Sequence, residues 1–369
     1  MCSERMDVVY FAKASEVGPS SRYRIFQYLP SFTTSGIRVT VKPLFSSRYF
    51  RLLGWRPTWV RTVAKVWYTA WRFLVRGVAV LSSLQADLIV LEGPLFPYTG
   101  LAVERWLSKR IPLVVELDDA IHLTPGMGET IPRLLQLSVG AIVGNQVLAD
   151  YARSFTSQVH VIPTVVDTHR FAPTSPRSPI GTHPLTIGWM GLDYNIAYVK
   201  SLAQVLQKLQ KDRSVRIKII CGTPPRFDGL NVDFYAWDYA REVEDLSGCD
   251  IGIMPLPDNE WTRGKCGLKL LQYMSLGIAS VASPVGVNQK IIQHGRNGFL
   301  ASTDDEWYET LLQLCDDAAL RERVGREARK TVVEDYSLAV WAPRLISAYR
   351  TLSESSHVKT KVTTYPKAA

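Results

Sequence analysis

Residues Gly264–Gly286 read Gly-Lys-Cys-Gly-Leu-Lys-Leu-Leu-Gln-Tyr-Met-Ser-Leu-Gly-Ile-Ala-Ser-Val-Ala-Ser-Pro-Val-Gly. This pattern predicts a glycine-rich loop, an amphipathic helix that ends at Gly277, and then a buried strand. Backbone N–H groups at the start of a helix, next to fixed positive charge, can bind a phosphate. Lys265 and Lys269 supply that charge. The stretch therefore predicts a phosphate or pyrophosphate site, with Gln272 one turn into the helix.

Short apolar strands alternate with helical patterns along the rest of the chain. This alternation predicts parallel sheets that have helices on both faces. The strands predicted in the first half are Val8–Ala12, Ile37–Val41, Leu88–Leu91, Leu113–Leu117, Ala141–Gly144 and Val159–Ile162. Those predicted in the second half are Leu185–Met190, Val215–Cys221, Asn231–Tyr235, Asp250–Met254, Ile278–Ser283 and Phe299–Ala301. Helices are predicted over Trp59–Val80, Asp304–Cys315, Ala319–Tyr336 and Leu338–Ser353.

The two series of strands predict an α/β protein with two Rossmann-like domains. A stretch rich in Pro, Ser and Thr, Phe171–Pro184, is the best candidate for the linker between them. We therefore expect an N-terminal domain over residues 1–172 and a second domain over residues 185–336. Residues 354–369 are polar and are expected to form a flexible tail. Two such domains should place a ligand cleft at the carboxyl ends of both sets of strands.

The residues quoted at the start resemble the nucleotide-sugar domain of GT-B glycosyltransferases, in the large group 1, or family 4-like, set of retaining enzymes. The residues that match this pattern are Gly267-Leu268, Met274, Gly277, Ser283-Pro284-Val285-Gly286, Asn288, Gly295 and Asn297-Gly298-Phe299. The family typically carries a pair of glutamates separated by seven residues. Gly264 and Gln272 stand at those two positions here, so the usual carboxylate pair is absent.

The resemblance implies a GT-B fold in which the second domain binds the nucleotide-sugar and the first binds the acceptor. It also implies that helix 338–353 crosses back to the first domain. No metal and no cofactor are expected, because lysines and helix N-termini can offset the charge of the leaving group. Retention of configuration at the anomeric carbon is implied by the family alone.

The residues expected to bind the donor follow from the phosphate loop and from three other strand ends. Gln272 is expected to bond a ribose hydroxyl. Related enzymes hold the nucleobase near the position of Trp237, which could equally close the core. The complete set of predicted donor residues is Gly191, Cys221, Gly222, Trp237, Arg263, Lys265, Gly267, Leu268, Lys269 and Gln272.

Two stretches of the first half are expected to lie on the acceptor side. Arg22 and Arg24 follow the first strand, where an arginine fork suits a carboxylate or a phosphate; the alternative is a capped turn with surface arginines. The stretch 116–122 ends another strand and is unusually acidic. There Asp118 and Asp119 are the candidate catalytic residues, and the candidate acceptor residues beside them are Glu116 and His122. Its alternative is an Asp-rich helix cap.

The composition fits a globular protein of the reducing cytoplasm. The five cysteines form no disulfide or metal-binding pattern, and Glu4 and Asp7 argue against a signal peptide. A net charge of +9 favours anionic partners, and no motif accompanies it that would indicate nucleic acid.

The predicted helix Trp59–Val80 has two different faces. The basic residues Arg61, Lys65, Arg72 and Arg76 form one stripe, and tryptophans and aliphatic residues cover the other side. One interpretation is a helix that lies on an anionic membrane, which would make the protein peripheral at the inner face of that membrane. The other is a helix that buries Trp67 and Trp71 against the sheet and leaves its basic face in solvent.

Taken together, the sequence predicts a hexosyltransferase that uses a nucleotide-sugar and a polysaccharide or lipid-linked acceptor. Two alternatives stay open. A nucleotide-sugar epimerase of the same fold would need several carboxylates and histidines around its ligand, and this chain has few. A non-catalytic glycosyltransferase-like subunit is favoured by the missing glutamates and disfavoured by the intact lysine-glycine loop.

Overall fold

The structure is a computed structural model that describes residues 5–53, 57–173 and 184–355. The chain divides into two compact units. Unit 1 contains Met1–Pro163 and Ala342–Ala369, and unit 2 contains Thr164–Trp341. Most of the predicted linker, residues 174–183, lies outside the described residues, as do residues 356–369 of the predicted tail.

Unit 1 is built on a six-stranded parallel sheet with the strand order β2-β1-β3-β4-β5-β6. The central strands read as continuous apolar runs because helices cover both faces of such a sheet. Its strands are β1 Met6–Phe11, β2 Ile37–Val41, β3 Leu88–Leu91, β4 Leu113–Leu117, β5 Gly140–Val143 and β6 Val159–Val161. The helices before β7 are α1 Pro19–Arg24, α2 Leu29–Thr34, α3 Ser47–Leu53, α4 Thr58–Ser82, α5 Ala102–Leu107, α6 Thr130–Leu137 and α7 Gln146–Arg153.

Unit 2 repeats this plan with a second six-stranded parallel sheet, in the order β12-β11-β10-β7-β8-β9. Trp189, Ile217, Ile219, Ile251 and Ile253 are among the strand residues that are buried in one core. The strands are β7 Leu185–Met190, β8 Val215–Cys221, β9 Val232–Ala236, β10 Ile251–Met254, β11 Ala279–Ala282 and β12 Phe299–Leu300. The helices are α8 Ile196–Lys200, α9 Ala203–Asp212, α10 Glu242–Ser247, α11 Glu260–Arg263, α12 Leu268–Ser275, α13 Asn288–Ile291, α14 Asp304–Asp316 and α15 Ala318–Asp335.

The last helix, α16 (Leu338–Glu354), belongs to unit 1 from Ala342 onward. The Tyr349 ring stacks on Phe32 of α2, with ring centroids 5.1 Å apart. The Arg350 guanidinium donates a hydrogen bond to the Ser35 carbonyl at 2.9 Å. The carboxyl-terminal helix therefore completes the core of the amino-terminal unit.

The two parallel sheets confirm the predicted α/β class. Every predicted strand is present, with ends shifted by no more than one or two residues. Each sheet has one point where the strand order reverses. In unit 1 it lies between β1 and β3, and in unit 2 between β7 and β10. Ligands of open parallel sheets bind at such reversal points, outside the carboxyl ends of the strands.

Helix α4 contradicts the interpretation that buried its tryptophans against the sheet. Arg76 is buried and donates hydrogen bonds to the carbonyls of Ala12 and Lys42, at 2.7 and 3.0 Å. Trp67 and Trp71, which one interpretation buried against the sheet, are 74% and 63% exposed. The expected solvated basic stripe is wrong at its carboxyl-terminal half, because Arg72 and Arg76 donate to backbone carbonyls that follow β1 and β2.

Candidate functional site

In unit 2 the reversal point brings two predicted phosphate-binding elements together. Gly191 directly follows β7, and a Cβ atom built on it would lie 2.9 Å from the Cε atom of Lys269, on α12. The same Cβ would lie 2.5 Å from the ring of Trp189, so only glycine fits there. A glycine backbone and a lysine side chain that meet at this edge form a local environment suited to a phosphate.

The loop before α12 also depends on glycine. Gly267 caps the helix with φ +73°, in the left-handed region that L side chains rarely adopt. A Cβ there would also meet the Cδ1 atom of Ile291 at 2.7 Å. Leu268 is the first residue of α12 and is partly buried. The glycine therefore sets the direction of α12, whose first-turn N–H groups are those expected to face a phosphate.

The three predicted cations have different surroundings. The Lys269 ammonium lies 5.7 Å from the centroid of the buried Trp189 ring, and the Lys265 ammonium lies 5.3 Å from that of Trp261. Arg263 is exposed and holds Asp258 through two hydrogen bonds of 2.6 and 3.0 Å. This pairing lowers the pKa of the Asp258 carboxyl. Of the three, Lys269 is the cation that the structure places beside Gly191.

Two other predicted donor residues converge on a carboxylate that the sequence analysis missed. Glu242 opens α10 and its side chain is 1% exposed. Its carboxylate accepts hydrogen bonds from Gln272 Nε2 at 3.2 Å and from Trp237 Nε1 at 3.5 Å. Arg170 forms an ion pair with it at 3.0 Å. Gln272 is itself buried, so its amide is held by the protein in this structure.

No motif marked Glu242, because it follows Trp237 after only four residues, 238–241, which include the charged Asp238 and Arg241. Its place at the start of a helix was the available signal. That signal is weak, because acidic residues are common in the first turn of helices, where they interact favourably with the helix dipole. Its role depends on partners from distant parts of the chain, which a local pattern does not show.

The loops after β7 and β8 are tied together by Asp193. Its carboxylate accepts from the backbone N–H groups of Gly222 and Thr223, at 2.7 and 3.2 Å, and from the Thr223 hydroxyl at 3.0 Å. Cys221 is buried, and its thiol donates to the Thr223 carbonyl at 3.1 Å. Burial raises the pKa of the Cys221 thiol to about 11, which keeps it protonated at neutral pH and disfavours any nucleophilic role.

In unit 1, two predicted acceptor residues pair with each other. Arg24 and Glu116 are both buried, with 2.5 Å between Nε and Oε1. Arg24 also donates to the Ile162 carbonyl at 2.7 Å through Nη1. Burial raises the pKa of Glu116, while Arg24 opposes that rise. The side chains of Arg24 and Glu116 are therefore partners of each other inside unit 1. Arg22 is also buried, and its guanidinium lies 5.2 Å from the centroid of the Tyr23 ring.

The reversal point of unit 1 carries a second carboxyl that the sequence analysis missed. Glu92 directly follows β3, and its Oε2 atom accepts from the Ser21 hydroxyl at 2.7 Å and from the Lys13 N–H at 3.0 Å. Desolvation, reinforced by the charge of Asp118, raises the pKa of Glu92 to about 8. Glu92 could have been found from the sequence, because it is a polar residue at the carboxyl end of a buried strand. The same feature led to the selection of Glu116 and Asp118.

The remaining predicted acceptor residues lie just after β4. Asp118 and Asp119 are partly exposed, and the Asp119 carbonyl accepts from the Ile121 N–H at 2.8 Å in the turn that follows. The His122 ring stacks on Tyr151, with centroids 3.7 Å apart. Across residues 5–53, 57–173 and 184–355, no group of three or more His, Cys, Asp or Glu side chains could hold a metal ion.

Sequence comparison finds the family described as glycosyl transferases group 1 in residues 184–317. The chain is also 31% identical over 88 residues to an N-acetyl-alpha-D-glucosaminyl L-malate synthase of Bacillus anthracis, covering 23% of this chain and 22% of that protein. It is 24% identical over 264 residues to an MMP alpha-(1->4)-mannosyltransferase of Mycolicibacterium hassiacum, covering 67% and 60%. The matches therefore span less than two thirds of either curated relative.

Solved structures show the same fold over nearly the whole chain. A sucrose-phosphate synthase from Thermosynechococcus elongatus superposes with a TM-score of 0.70 at 14% identity, covering 95% of this chain and 100% of the other. The Anabaena protein HepE, in complex with UDP-glucose, gives 0.69 at 15% identity, covering 94% and 100%. Residues 184–317 therefore match the group 1 glycosyltransferases, a family of sugar-transferring enzymes, and the chain has the GT-B fold of these solved structures.

Proposed function

We propose that this chain transfers a hexose from a nucleotide-sugar to a polysaccharide or lipid-linked acceptor, with retention at the anomeric carbon. The observation that carries the proposal is the position of Lys269 beside Gly191 at the reversal point of unit 2. The complex of HepE with UDP-glucose, on the same fold, supports a nucleotide-sugar as the ligand. Retention is supported only by the resemblance to retaining enzymes.

Unit 2 is the donor-binding unit in this proposal. The departing diphosphate gains negative charge as the glycosidic bond to it breaks. The Lys269 ammonium and the first N–H groups of α12 stabilise that charge, and no metal is required. Gln272 is held by Glu242 at 3.2 Å, which fixes the amide near the diphosphate elements. A ribose hydroxyl is the donor group proposed to meet it.

Unit 1 is the acceptor-binding unit. Asp118 lies near enough to Glu92 to raise the pKa of that carboxyl. At neutral pH, Glu92 is therefore largely protonated while Asp118 can accept a hydrogen bond from an acceptor hydroxyl. A protonated Glu92 beside a second carboxyl that accepts a hydrogen bond suits the recognition of a hydroxyl group that loses its proton during transfer. Asp119 is proposed to share that contact.

We also propose that the protein works in the cytoplasm, at the inner face of the membrane where lipid-linked acceptors are found. Its net charge of +9 suits an anionic leaflet. Within the described residues, no helix is both long enough and apolar enough to cross a bilayer. Attachment to the surface of the membrane is therefore the form of association proposed.

The test is a turnover assay with a panel of uridine and guanosine diphosphate sugars, with and without glycan and lipid-linked acceptors. Asp118→Asn should reduce transfer by about 100-fold or more, the scale expected when a proton-accepting group is lost. Donor affinity should stay unchanged. Asp150→Asn, an exposed carboxylate on α7 paired with Arg153, is the matched control.

Three results would contradict the proposal in distinct ways. Failure to bind or consume any donor would favour the non-catalytic subunit. Conversion of the donor to its sugar epimer, with no glycosylated product, would identify the epimerase. Equal loss of donor affinity and transfer in Asp118→Asn would show that this residue only maintains the fold of unit 1.

A further inference from the structure

Helix α4 presents a continuous apolar face to solvent. The helix is 25 residues long, and its exposed large side chains recur every three or four residues, so they line one side. We call this surface the Trp face. It consists of Trp59, Val63, Val66, Trp67, Trp71, Leu74, Val78 and Leu81, each between 50% and 74% exposed.

The opposite side of α4 is attached to unit 1 by polar contacts. Arg72 donates to the carbonyls of Leu44 and Pro43, and Arg76 donates to those of Ala12 and Lys42. The Tyr68 hydroxyl meets the Ser46 hydroxyl at 2.9 Å. Turning the helix to bury the tryptophans would break these bonds and leave backbone carbonyls without donors. The orientation of the Trp face is therefore fixed by the fold.

The chemistry of this surface favours a lipid bilayer over a protein partner. Trp59, Trp67 and Trp71 combine a large apolar ring with an N–H donor, which is the combination enriched at membrane interfaces. Arg61 and Lys65 are partly exposed on the other side of the helix, so the contact of the Trp face with lipid is made by its apolar and indole groups. The net charge of +9 complements an anionic leaflet.

The dimensions agree with a helix that lies in the plane of the membrane. At a rise of about 1.5 Å per residue, α4 extends roughly 37 Å along the bilayer surface. Such helices immerse their apolar side about 5–10 Å into the boundary between headgroups and acyl chains. The side chains of the Trp face are of the right size for that depth, and Arg72 and Arg76 remain on the protein side.

We propose that the Trp face of α4 is a membrane-docking surface that inserts into an anionic bilayer. Insertion of apolar side chains supplies most of the affinity, and the net charge of +9 adds an electrostatic part. This differs from adsorption through a basic stripe, because binding through the Trp face should persist in high salt. The inference concerns α4 alone and does not rest on the proposed transfer reaction.

The experiment is flotation of the full chain with phosphatidylcholine vesicles, with and without phosphatidylglycerol. The wild type should float with anionic vesicles at about 0.1 M salt and keep a measurable bound fraction at about 1 M, where exposed charges are screened. Trp67→Ser combined with Trp71→Ser should lower the partition coefficient at least about tenfold, because two exposed rings are removed from the lipid. Arg61→Gln with Lys65→Gln should lower it much less than the tryptophan variant does, because both side chains lie on the other side of the helix.

The matched control is Trp106→Ser, a tryptophan of α5 that is 36% exposed and lies under Arg110. It should float like the wild type. Lys269→Ala should also float normally, so a failed transferase assay does not affect this test. Circular dichroism confirms that each variant is folded.

Two results would overturn the proposal. The first is no flotation of the wild type with anionic vesicles at low salt, or flotation that is equal in the Trp67→Ser/Trp71→Ser variant. The second is a dimer, detected by analytical ultracentrifugation, that the same double variant dissociates. That outcome would make a second copy of this chain the occupant of the Trp face.

Discussion

Replacing Gln272 by glutamate tests the contact that joins α12 to Glu242. The Gln272 amide donates to the Glu242 carboxylate at 3.2 Å, and both residues are only 1% exposed. Gln272→Glu restores the residue type found at this position in related enzymes, but here it removes the donor. It also places a second carboxyl against a buried negative charge. We therefore expect a loss of stability rather than a gain of activity.

The magnitude follows from the distance. Two unit charges about 3.2 Å apart repel by roughly 5 kcal/mol at an effective dielectric constant of about 20. Protonation of one carboxyl and the neighbouring Arg170 relieve part of this, so a loss of about 2–4 kcal/mol in unfolding free energy is expected near pH 8. The new carboxyl has a folded-state pKa above its unfolded value. Its penalty is therefore small below the unfolded pKa and grows as pH rises through the folded pKa.

The assay is urea denaturation at about pH 5 and pH 8, with the unfolding free energy as the readout. Gln272→Met, which removes the donor without adding a charge, is the control and should show little pH dependence. The exchange Glu242→Gln with Gln272→Glu restores a carboxylate–amide bond and should recover part of the loss. A single variant as stable as the wild type at pH 8, or equally destabilised at both pH values, would refute the reasoning.

Three further predictions concern single positions. Glu92→Gln should remove a pH dependence of the unfolding free energy. The wild type should lose stability relative to the variant between about pH 5 and pH 8, because the pKa of Glu92 is raised to about 8 and its charged form is disfavoured in the folded state. A difference in stability between the two proteins that stays constant across that range would contradict this. Gly191→Ala should abolish nucleoside diphosphate binding, because the new Cβ would lie 2.5 Å from the Trp189 ring; unchanged affinity in calorimetry would show that the loop moves freely. Arg76→Met should lower the unfolding free energy by about 2–4 kcal/mol, because two backbone carbonyls lose a charged donor. An unchanged unfolding free energy in urea denaturation would show that water donates hydrogen bonds to those carbonyls instead.

The positions of the strands could be predicted from the sequence for a simple reason. A parallel strand covered on both faces is a short, continuous apolar run, as in Ile251–Met254, and the punctuating glycines and prolines mark its ends. The meeting of Gly191 with Lys269 was also within reach, since both positions follow from the rule that ligands bind at the carboxyl ends of parallel strands.

The orientation of α4 could not be predicted, because an amphipathic pattern defines two faces without saying which of them the protein covers. Hydrogen bonds from Arg72 to the carbonyls of Pro43 and Leu44 fix which side of α4 faces the protein. Glu242 was missed for a related reason. Its partners Gln272 and Arg170 come from segments far apart in the sequence, so only the folded chain brings them together.

Calorimetric titration of uridine and guanosine diphosphates into the full chain is the most direct test of the central claim, that the reversal point of unit 2 binds a nucleoside diphosphate. Lys269→Ala should weaken binding by about 1.5–3 kcal/mol, or roughly 10- to 150-fold in Kd, because one charge-assisted hydrogen bond is lost. Lys211→Ala, an exposed lysine at the end of α9, should bind like the wild type. Equal affinity in the wild type and Lys269→Ala would contradict the assignment of this site.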